Sequence, residues 1–276
     1  MNITPQHEYP KLVYKYRSWT NPYHLRILTD NELFLSPPND FNDPFDCRIS
    51  TNYGLLDNEH KKIRYVESLI ERQMSEIVRR GMNPQIEFSR MMLRLNDIET
   101  YQQEADAITF GAQNERFGAL SLSAVWNNIL MWSHYGDFHK GICVGFHEDK
   151  LRNSGLFGKG GQVIYTDDYP ELYPGYDSLG DEEATLQKYF KQTHFKAKDW
   201  HYEEEYRLMT TFPSNPTNHD RTIVIPNDCF AEIILGIEFP TDKEPELIQI
   251  AQNKGISIYR AIKVPFKFAI DRVKLV

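Results

Sequence analysis

The spacing of apolar and polar positions changes twice along the chain and divides it into three regions. Residues 11–56 contain short apolar runs separated by turn residues, which predict a strand, a helix, a second strand and an ordered loop. From about residue 57 to 110, apolar positions lie three or four residues apart, which is the period of a helix. Residues 117–276 return to the short apolar runs that are typical of strands.

Capping residues mark the ends of the helices in the middle region. Asn58 precedes an apolar series and Gly81 follows it, and Asn83 with Pro84 opens a second helix. The apolar series consists of Ile63, Val66, Ile70 and Ile77. The remaining positions of these helices are rich in charge, so we expect an exposed amphipathic layer through which two copies of the chain could form a homodimer.

The third region is predicted to be mainly β-structure. Its predicted strands are GALSLS, GICVGF, GQVIYT, YRLMTTF, RTIVIP, AEIILG and SIYRAIKV. Two helices interrupt them, WNNILMWSHYG and DEEATLQKYFKQTHFKAKDW. Because no internal repeat and no Gly/Ser-rich linker divides the sequence, we predict a single α+β domain over residues 1–276, with a helical insertion at about 57–110.

Composition and charge exclude some classes of protein and argue against others. Hydrophobic residues make up 41% of the 276 residues and charged residues 25%, which is typical of a globular protein and excludes disorder and collagen. The formal net charge of −8 argues against general binding to nucleic acids or anionic membranes, although a local basic patch is compatible with it. Aromatic residues reach 13%, which is consistent with either an aromatic core or a pocket lined by rings.

The cysteines and the lack of a long apolar stretch indicate a cytoplasmic protein. Cys47, Cys143 and Cys229 are odd in number and lack CxxC spacing, which argues against disulfides and a thiolate metal site, so we expect them to be buried. The first residues show no signal-peptide pattern, and no stretch approaches the length of apolar residues that a membrane helix needs. We therefore expect no membrane segment.

The acidic triplet at residues 203–205 contains the first candidate catalytic residues. If residues 198–207 form a strand, its two-residue period places His201, Glu203, Glu205 and Arg207 on one face. Two carboxylates on one face perturb each other's ionisation and can act as a base or stabilise a developing positive charge. The alternative is a solvated strand face on which Glu205 simply pairs with Arg207.

Two further segments combine polar and aromatic residues. Ser121 and Ser123 alternate with leucine, so both hydroxyls point to one side of a strand, as they do in any half-buried strand. The next helix contains Trp132, His134 and Tyr135, which either line a pocket or belong to a structural helix whose histidine caps a buried polar group. The histidines of this helix lack the HExxH spacing, so no metal is predicted.

The amino-terminal strand ends in a cation. Tyr16 and Arg17 lie at the end of this strand, where a guanidinium can bind a phosphate or a carboxylate through two hydrogen bonds. Asp43 and Asp46 follow in the loop FNDPFD. They are the alternative partners, because either could form a structural ion pair with Arg17.

Taken in order, the segments YKYRS, FNDPFDC, LSLS, NILMWSHYGDFHKGICVGF and WHYEEEYR resemble the bacterial family called domain of unknown function 2971. The resemblance covers nearly the whole chain. Membership of this family implies little chemistry, although its members are often suspected of roles in phage defence or toxin systems.

Three short motifs also resemble ADP-ribosyltransferases of the arginine–serine–glutamate type. Arg17 matches the arginine that ends the first strand, and Ser121-Leu122-Ser123 matches the Ser-Thr-Ser-like strand, although Leu122 departs from the threonine. Glu203-Glu204-Glu205 matches the later Glu-x-Glu pair. The resemblance implies a split, mixed antiparallel sheet, NAD as the substrate, and an unknown protein or nucleic acid as the acceptor.

The same resemblance implies how the residues would bind NAD. Arg17, with Tyr16 beside it, would hold the pyrophosphate or the adjacent ribose. Ser121 and Ser123 would support the nicotinamide ribose. Glu205 would hydrogen-bond that ribose and stabilise the positive charge that forms as nicotinamide leaves.

The remaining candidates would act around the reacting bond. Glu203 would orient or deprotonate the acceptor. Trp132 and Tyr135 would form walls of the pocket and stack on a flat ring, and His134 would join them as a further catalytic candidate.

Two other functions fit the same sequence features. One is a non-enzymatic sensor that binds a nucleotide or a protein, in phage defence, without turnover. The other is a metal-dependent nuclease in which Asp43, Asp46, Glu203 and Glu205 supply oxygen ligands to Mg²⁺.

Overall fold

The computed structural model describes residues 9–175 and 182–276, and its fold is α+β, as the apolar pattern predicts. The strands are β1 (Leu12–Arg17), β2 (Glu32–Phe34), β3 (Phe117–Ser123), β4 (Ile142–His147), β5 (Lys159–Gln162), β6 (Ile164–Thr166), β7 (Phe195–Ala197), β8 (Glu205–Thr211), β9 (Thr222–Val224), β10 (Phe230–Leu235), β11 (Ser257–Lys263) and β12 (Ile270–Lys274).

Eight α-helices are found among the described residues, together with short 3-10 helices. The α-helices are α1 (Pro22–Thr29), α2 (Glu59–Arg79), α3 (Pro84–Arg94), α4 (Ile98–Arg116), α5 (Ile129–His134), α6 (Glu148–Arg152), α7 (Glu182–His194) and α8 (Glu244–Lys254). The 3-10 helices are Pro38–Asp40, Tyr53–Leu55, Lys198–Glu203 and Asn227–Cys229. None of the helices within the described ranges has the length and hydropathy that crossing a membrane requires.

The described chain divides into two compact units. The first, which we call the sheet unit, comprises the described residues up to 41 together with 115–165 and 198–276. The second, the helical unit, comprises residues 42–114 and the described part of 166–197.

The sheet unit is built on one mixed sheet with the strand order β12-β11-β10-β4-β1-β3-β8-β5. Its neighbouring strands are antiparallel except for the parallel pair β10 and β11. β1 pairs with β4 along its whole length, whereas its ladder with β3 consists of the single pair Tyr14↔Ser123. The ladder between β1 and β3 therefore opens towards Arg17.

The two faces of this sheet carry different apolar clusters, because side chains alternate along each strand. On β1, Val13 belongs to a large aliphatic cluster, whereas Tyr14 and Tyr16 belong to a smaller one that includes Trp132 and Cys143. The buried side chains on both faces hold β1 in the middle of the sheet and fix the position at which Arg17 emerges.

The helical unit has its own apolar cluster, in which Tyr65, Val66, Leu95 and Tyr101 are buried. The predicted caps are confirmed: the Asn58 side chain accepts a hydrogen bond from the backbone of α2, and Asn83 does the same for α3, with Pro84 in the first turn. The predicted burial of the three cysteines is also confirmed, and all three are free thiols.

Three sequence-based expectations need correction. The strand predicted across 198–207 begins only at Glu205, because Lys198–Glu203 forms a 3-10 helix and Glu204 has a positive φ of 41°. The polar helix predicted from residue 181 ends at His194 and is followed by β7, and the run GQVIYT is divided between β5 and β6. Residues 1–8, which belong to the segment inspected for a signal peptide, lie outside the described residues. Asp181, at which the polar helix is predicted to begin, also lies outside them.

Candidate functional site

Arg17 lines a cavity on the sheet unit with a volume of about 770 Å³. The residue ends β1 beyond the single pair that joins β1 to β3, and it is half-buried. Polar lining comes mainly from α1 and from two loops. The polar lining residues include Tyr23, His24, Arg26, Asp40, Asn218 and His219.

Arg17 and Arg26 differ in their partners, although both line the cavity. Arg26 donates to Glu32 at 2.6 Å and lies 3.5 Å from a carboxylate oxygen of Asp30, so its charge is balanced. Among the described residues, no carboxylate lies within 4.0 Å of the Arg17 guanidinium, which makes a long 3.5 Å hydrogen bond to the carbonyl oxygen of Tyr16. Arg17 is therefore the cation of this cavity with capacity for an anionic ligand.

Burial lowers the pKa values of two groups that line the cavity. It lowers the pKa of Arg17 to about 10, so the guanidinium still carries its charge at neutral pH. Burial, together with the nearby positive charges of Arg17 and Lys15, lowers the pKa of His24 to about 4. At neutral pH the His24 imidazole is therefore uncharged, and one of its nitrogens can donate a hydrogen bond while the other accepts.

A cluster of charged side chains lies next to Arg17 inside the sheet. Lys15, two residues before Arg17 on β1, donates to the carbonyl oxygen of Ser121 at 2.5 Å across the opening between β1 and β3. Burial and the charge of Arg17 lower the pKa of Lys15 well below its usual value, while Glu205 and Glu203 act in the opposite direction. Both acids of the predicted pair therefore lie within electrostatic reach of the same amino group as Arg17.

Within this cluster, Glu205 forms an ion pair with Arg207. Nε and Nη2 of Arg207 donate to the two carboxylate oxygens of Glu205 at 2.7 and 2.8 Å, and the two side chains are only 4% and 1% exposed. The ring of Phe41 lies 5.1 Å from the guanidinium carbon of Arg207. Glu205 thus pairs with Arg207, as the alternative interpretation of the sequence proposes, but the pair is buried rather than solvated.

Glu203 is held by different contacts. Its Oε1 accepts a hydrogen bond from the hydroxyl of Tyr135 at 2.7 Å, and its backbone carbonyl accepts one from the hydroxyl of Ser123 at 2.7 Å. The positive φ of Glu204 turns the chain between the 3-10 helix and β8, which places Glu203 outside the strand alternation. His201, the other residue expected on that strand face, is exposed.

The aromatic residues of the WSHYG segment occupy the core and the surface. Trp132 is fully buried, donates from Nε1 to the carbonyl oxygen of Trp126 at 2.8 Å, and packs edge-on against Tyr16. Tyr16 is also buried and donates to the carbonyl oxygen of Val125. His134 is exposed at the end of α5. None of these residues is among the described residues that line the cavity beside Arg17.

The structure thus brings some predicted residues together and separates others. Arg17, Glu203 and Glu205 lie within electrostatic reach of Lys15, which donates to the carbonyl oxygen of Ser121, and Tyr135 contacts Glu203. Of these residues, Arg17 lines the cavity. Ser123 supports the backbone of Glu203, whereas Tyr16 and Trp132 are core residues and His134 lies at the surface.

Sequence reasoning missed Lys15, His24, Asp40, Asn218 and His219. Lys15 stands inside the quoted segment YKYRS, and its position two residues before Arg17 on a strand was the signal that both share a face. The other four come from α1, from the 3-10 helix Pro38–Asp40 and from the loop before β9, whose approach to Arg17 depends on the tertiary fold.

The acidic residues proposed as Mg²⁺ ligands belong to different units. Asp46, in the helical unit, lies 3.3 Å from Lys196, and the side chain of Asp43 accepts from the backbone N–H of Phe45. Within the described parts of the chain, no group of three or more His, Cys, Asp or Glu side chains is arranged to hold a metal ion.

Comparison with known proteins gives one family match. Residues 131–208 match the model of the family described as protein of unknown function DUF2971. The chain resembles DUF2971 proteins. The DUF2971 match begins in α5 and ends in β8, so it includes Trp132, His134, Glu203 and Glu205. No curated protein and no solved structure shows significant similarity to the chain.

Proposed function

We propose that the cavity beside Arg17 binds an anionic nucleotide, with NAD as the first candidate. The observation that carries this proposal is a guanidinium without a carboxylate partner, among the described residues, at the wall of a cavity of about 770 Å³. A cavity of this size accommodates a ligand of several rings. Adjacent phosphate oxygens match the planar donors of an arginine, so a diphosphate is the natural partner of Arg17.

The other lining groups suit the rest of a nucleotide. Tyr23 is 79% exposed and presents a ring on which a base can stack. The Asp40 carboxylate can accept hydrogen bonds from ribose hydroxyls, and Asn218 can both donate and accept. His24 and His219 offer further donors near the phosphate position.

Replacing Arg17 by alanine should weaken nucleotide binding by about 10- to 100-fold, the effect of losing a charged hydrogen-bonded contact. Isothermal titration calorimetry with NAD, ADP-ribose and inorganic pyrophosphate measures this effect. All three probes contain the diphosphate group that Arg17 would hold, so all three should lose affinity in Arg17→Ala.

Arg90→Ala is the matched control, because Arg90 is an exposed arginine of α3 that pairs with Glu87. This variant should bind each probe as the wild type does. Equal affinities of the wild type and Arg17→Ala would remove Arg17 from the site, and a wild type that binds none of the three probes would overturn the proposal.

A second candidate, ADP-ribosyl transfer, is favoured by the position of the acids. Glu203 and Glu205 lie in the charged cluster around Lys15, which also borders Arg17. In the proposed reaction, the bond between the nicotinamide nitrogen and ribose C1′ breaks, and its electron pair leaves with nicotinamide. The acceptor oxygen or nitrogen then bonds to C1′ and releases its proton to a base.

Glu203 is the candidate base, as the transferase resemblance implies, and the two acids differ in the groups that they contact. Both oxygens of Glu205 accept hydrogen bonds from Arg207, so its negative charge is already balanced. One Glu203 carboxylate oxygen accepts a hydrogen bond from the hydroxyl of Tyr135, which is an uncharged donor.

Glu203→Gln should reduce nicotinamide release from NAD by at least about 100-fold while leaving NAD affinity nearly unchanged, since it removes the base and keeps a side chain of the same shape. Chromatographic measurement of nicotinamide, with water or added proteins as acceptor, gives the rate. Glu238→Gln, which changes an exposed acid of the same unit, should release nicotinamide at the wild-type rate. A wild type that binds NAD and releases no nicotinamide would exclude the transferase and leave the non-enzymatic binding module.

A further inference from the structure

The turn between β11 and β12 exposes two aromatic side chains completely. Phe266 and Phe268 have relative exposures of 107% and 103%. The turn itself is closed by hydrogen bonds from the Val264 N–H to the Ala269 carbonyl oxygen and from the Lys267 N–H to the Val264 carbonyl oxygen. The rings thus extend from an ordered turn, where their contact with water is unfavourable.

A groove of about 710 Å³ lies directly beside these rings. The rings of Phe266 and Phe268 form part of its lining, and Ile129, Ile237 and Ile270 supply further apolar lining. Projecting apolar groups and an apolar recess therefore occupy one face of the sheet unit.

The charges around the groove are of both signs. Lys263 and Lys267 line it, and Glu238 lies 4.0 Å from the amino group of Lys263. An anionic membrane would select a face of one sign, and the net charge of −8 opposes that contact. A self-complementary face carries both signs of charge, so in a twofold pair the lysines of one copy can face the glutamate of the other.

We propose that two copies of the chain pair through this face, with Phe266 and Phe268 of each copy entering the groove of the other. A stable interface buries about 800 Å² per partner, and two aromatic side chains supply about 300–500 Å² of it. Leu130 and Phe138, which are 45% and 74% exposed, adjoin the groove residues Ile129 and His139 in sequence. This face is distinct from α2 and α3, for which the sequence suggested pairing.

Sedimentation velocity of the full chain over a wide range of concentrations tests the proposal. The wild type should sediment as a dimer, and Phe266→Ser combined with Phe268→Ser should raise the dimer dissociation constant by at least tenfold. The matched control combines Leu93→Ser and Ile108→Ser, two residues of α3 and α4 that are each 70% exposed, and should remain dimeric. Circular dichroism confirms that each variant is folded.

A charge reversal gives an independent readout that leaves the rings intact. Lys263→Glu should weaken the dimer, and adding Glu238→Lys should restore it, because the rim charges are then exchanged rather than lost. A wild type that stays monomeric, a dimer lost in Leu93→Ser/Ile108→Ser and kept in the phenylalanine variant, or a monomer that binds anionic vesicles through Phe266 and Phe268 would each overturn the proposal.

Discussion

Glu205→Ala should lower the free energy of unfolding by about 3–5 kcal/mol, because it leaves the buried guanidinium of Arg207 without its bidentate partner. Arg207 is 1% exposed, so water cannot replace the lost carboxylate. Since the whole stability of a folded domain is about 5–15 kcal/mol, this single substitution removes a large part of it. Urea denaturation followed by circular dichroism measures the change.

A double replacement separates the lost charge from the lost side chain. Glu205→Leu combined with Arg207→Met removes both charges and should recover much of the stability, because an apolar pair of similar volume has no buried charge to solvate. Glu104→Ala, which breaks an exposed pair with Arg94, is the control and should change stability far less. A Glu205→Ala protein as stable as the wild type would show that the other contacts of Arg207 are enough to stabilise its charge.

This expected instability affects how a functional role of Glu205 can be tested. If Glu205 is the catalytic acid that the transferase resemblance implies, Glu205→Gln should abolish turnover and leave folding intact. In the structure, glutamine offers one acceptor where Arg207 binds two. A loss of activity in this variant is therefore informative only alongside its stability.

Much of the fold could be predicted because local signals were strong. The caps Asn58 and Asn83 defined the starts of α2 and α3, and the buried runs that became β4 and β10 had few polar interruptions. β12 was not predicted, because Asp271, Arg272 and Lys274 make its sequence polar. It forms through pairing with β11, which no local pattern reveals.

The candidate site was harder to predict because it depends on irregular backbone and on long-range packing. Arg17, Ser121 and Glu205 lie on the adjacent strands β1, β3 and β8, an order that no local pattern reveals. The turn at Glu204 has no sequence signature, since a positive φ is uncommon for glutamate. Without that turn, Glu203 would have stayed in the alternation of β8 instead of meeting Tyr135.

Trp132→Ala should lower the free energy of unfolding by about 3–5 kcal/mol, the cost of removing a large buried ring, whereas His134→Ala should change it by no more than about 0.5 kcal/mol. Trp132 is completely buried against Tyr16, while His134 lies two residues later on the surface. Urea denaturation of both variants gives the comparison.

Trp132→Phe distinguishes packing from hydrogen bonding at this position. It keeps a ring against Tyr16 but loses the donor to the Trp126 carbonyl oxygen, so its stability should fall between those of the wild type and Trp132→Ala. Because Trp132 lies away from the cavity lining, Trp132→Phe should bind NAD as the wild type does. If Trp132→Phe lost NAD affinity while remaining folded, the ring would belong to the ligand site, and the nucleotide would lie nearer to α5 than to α1.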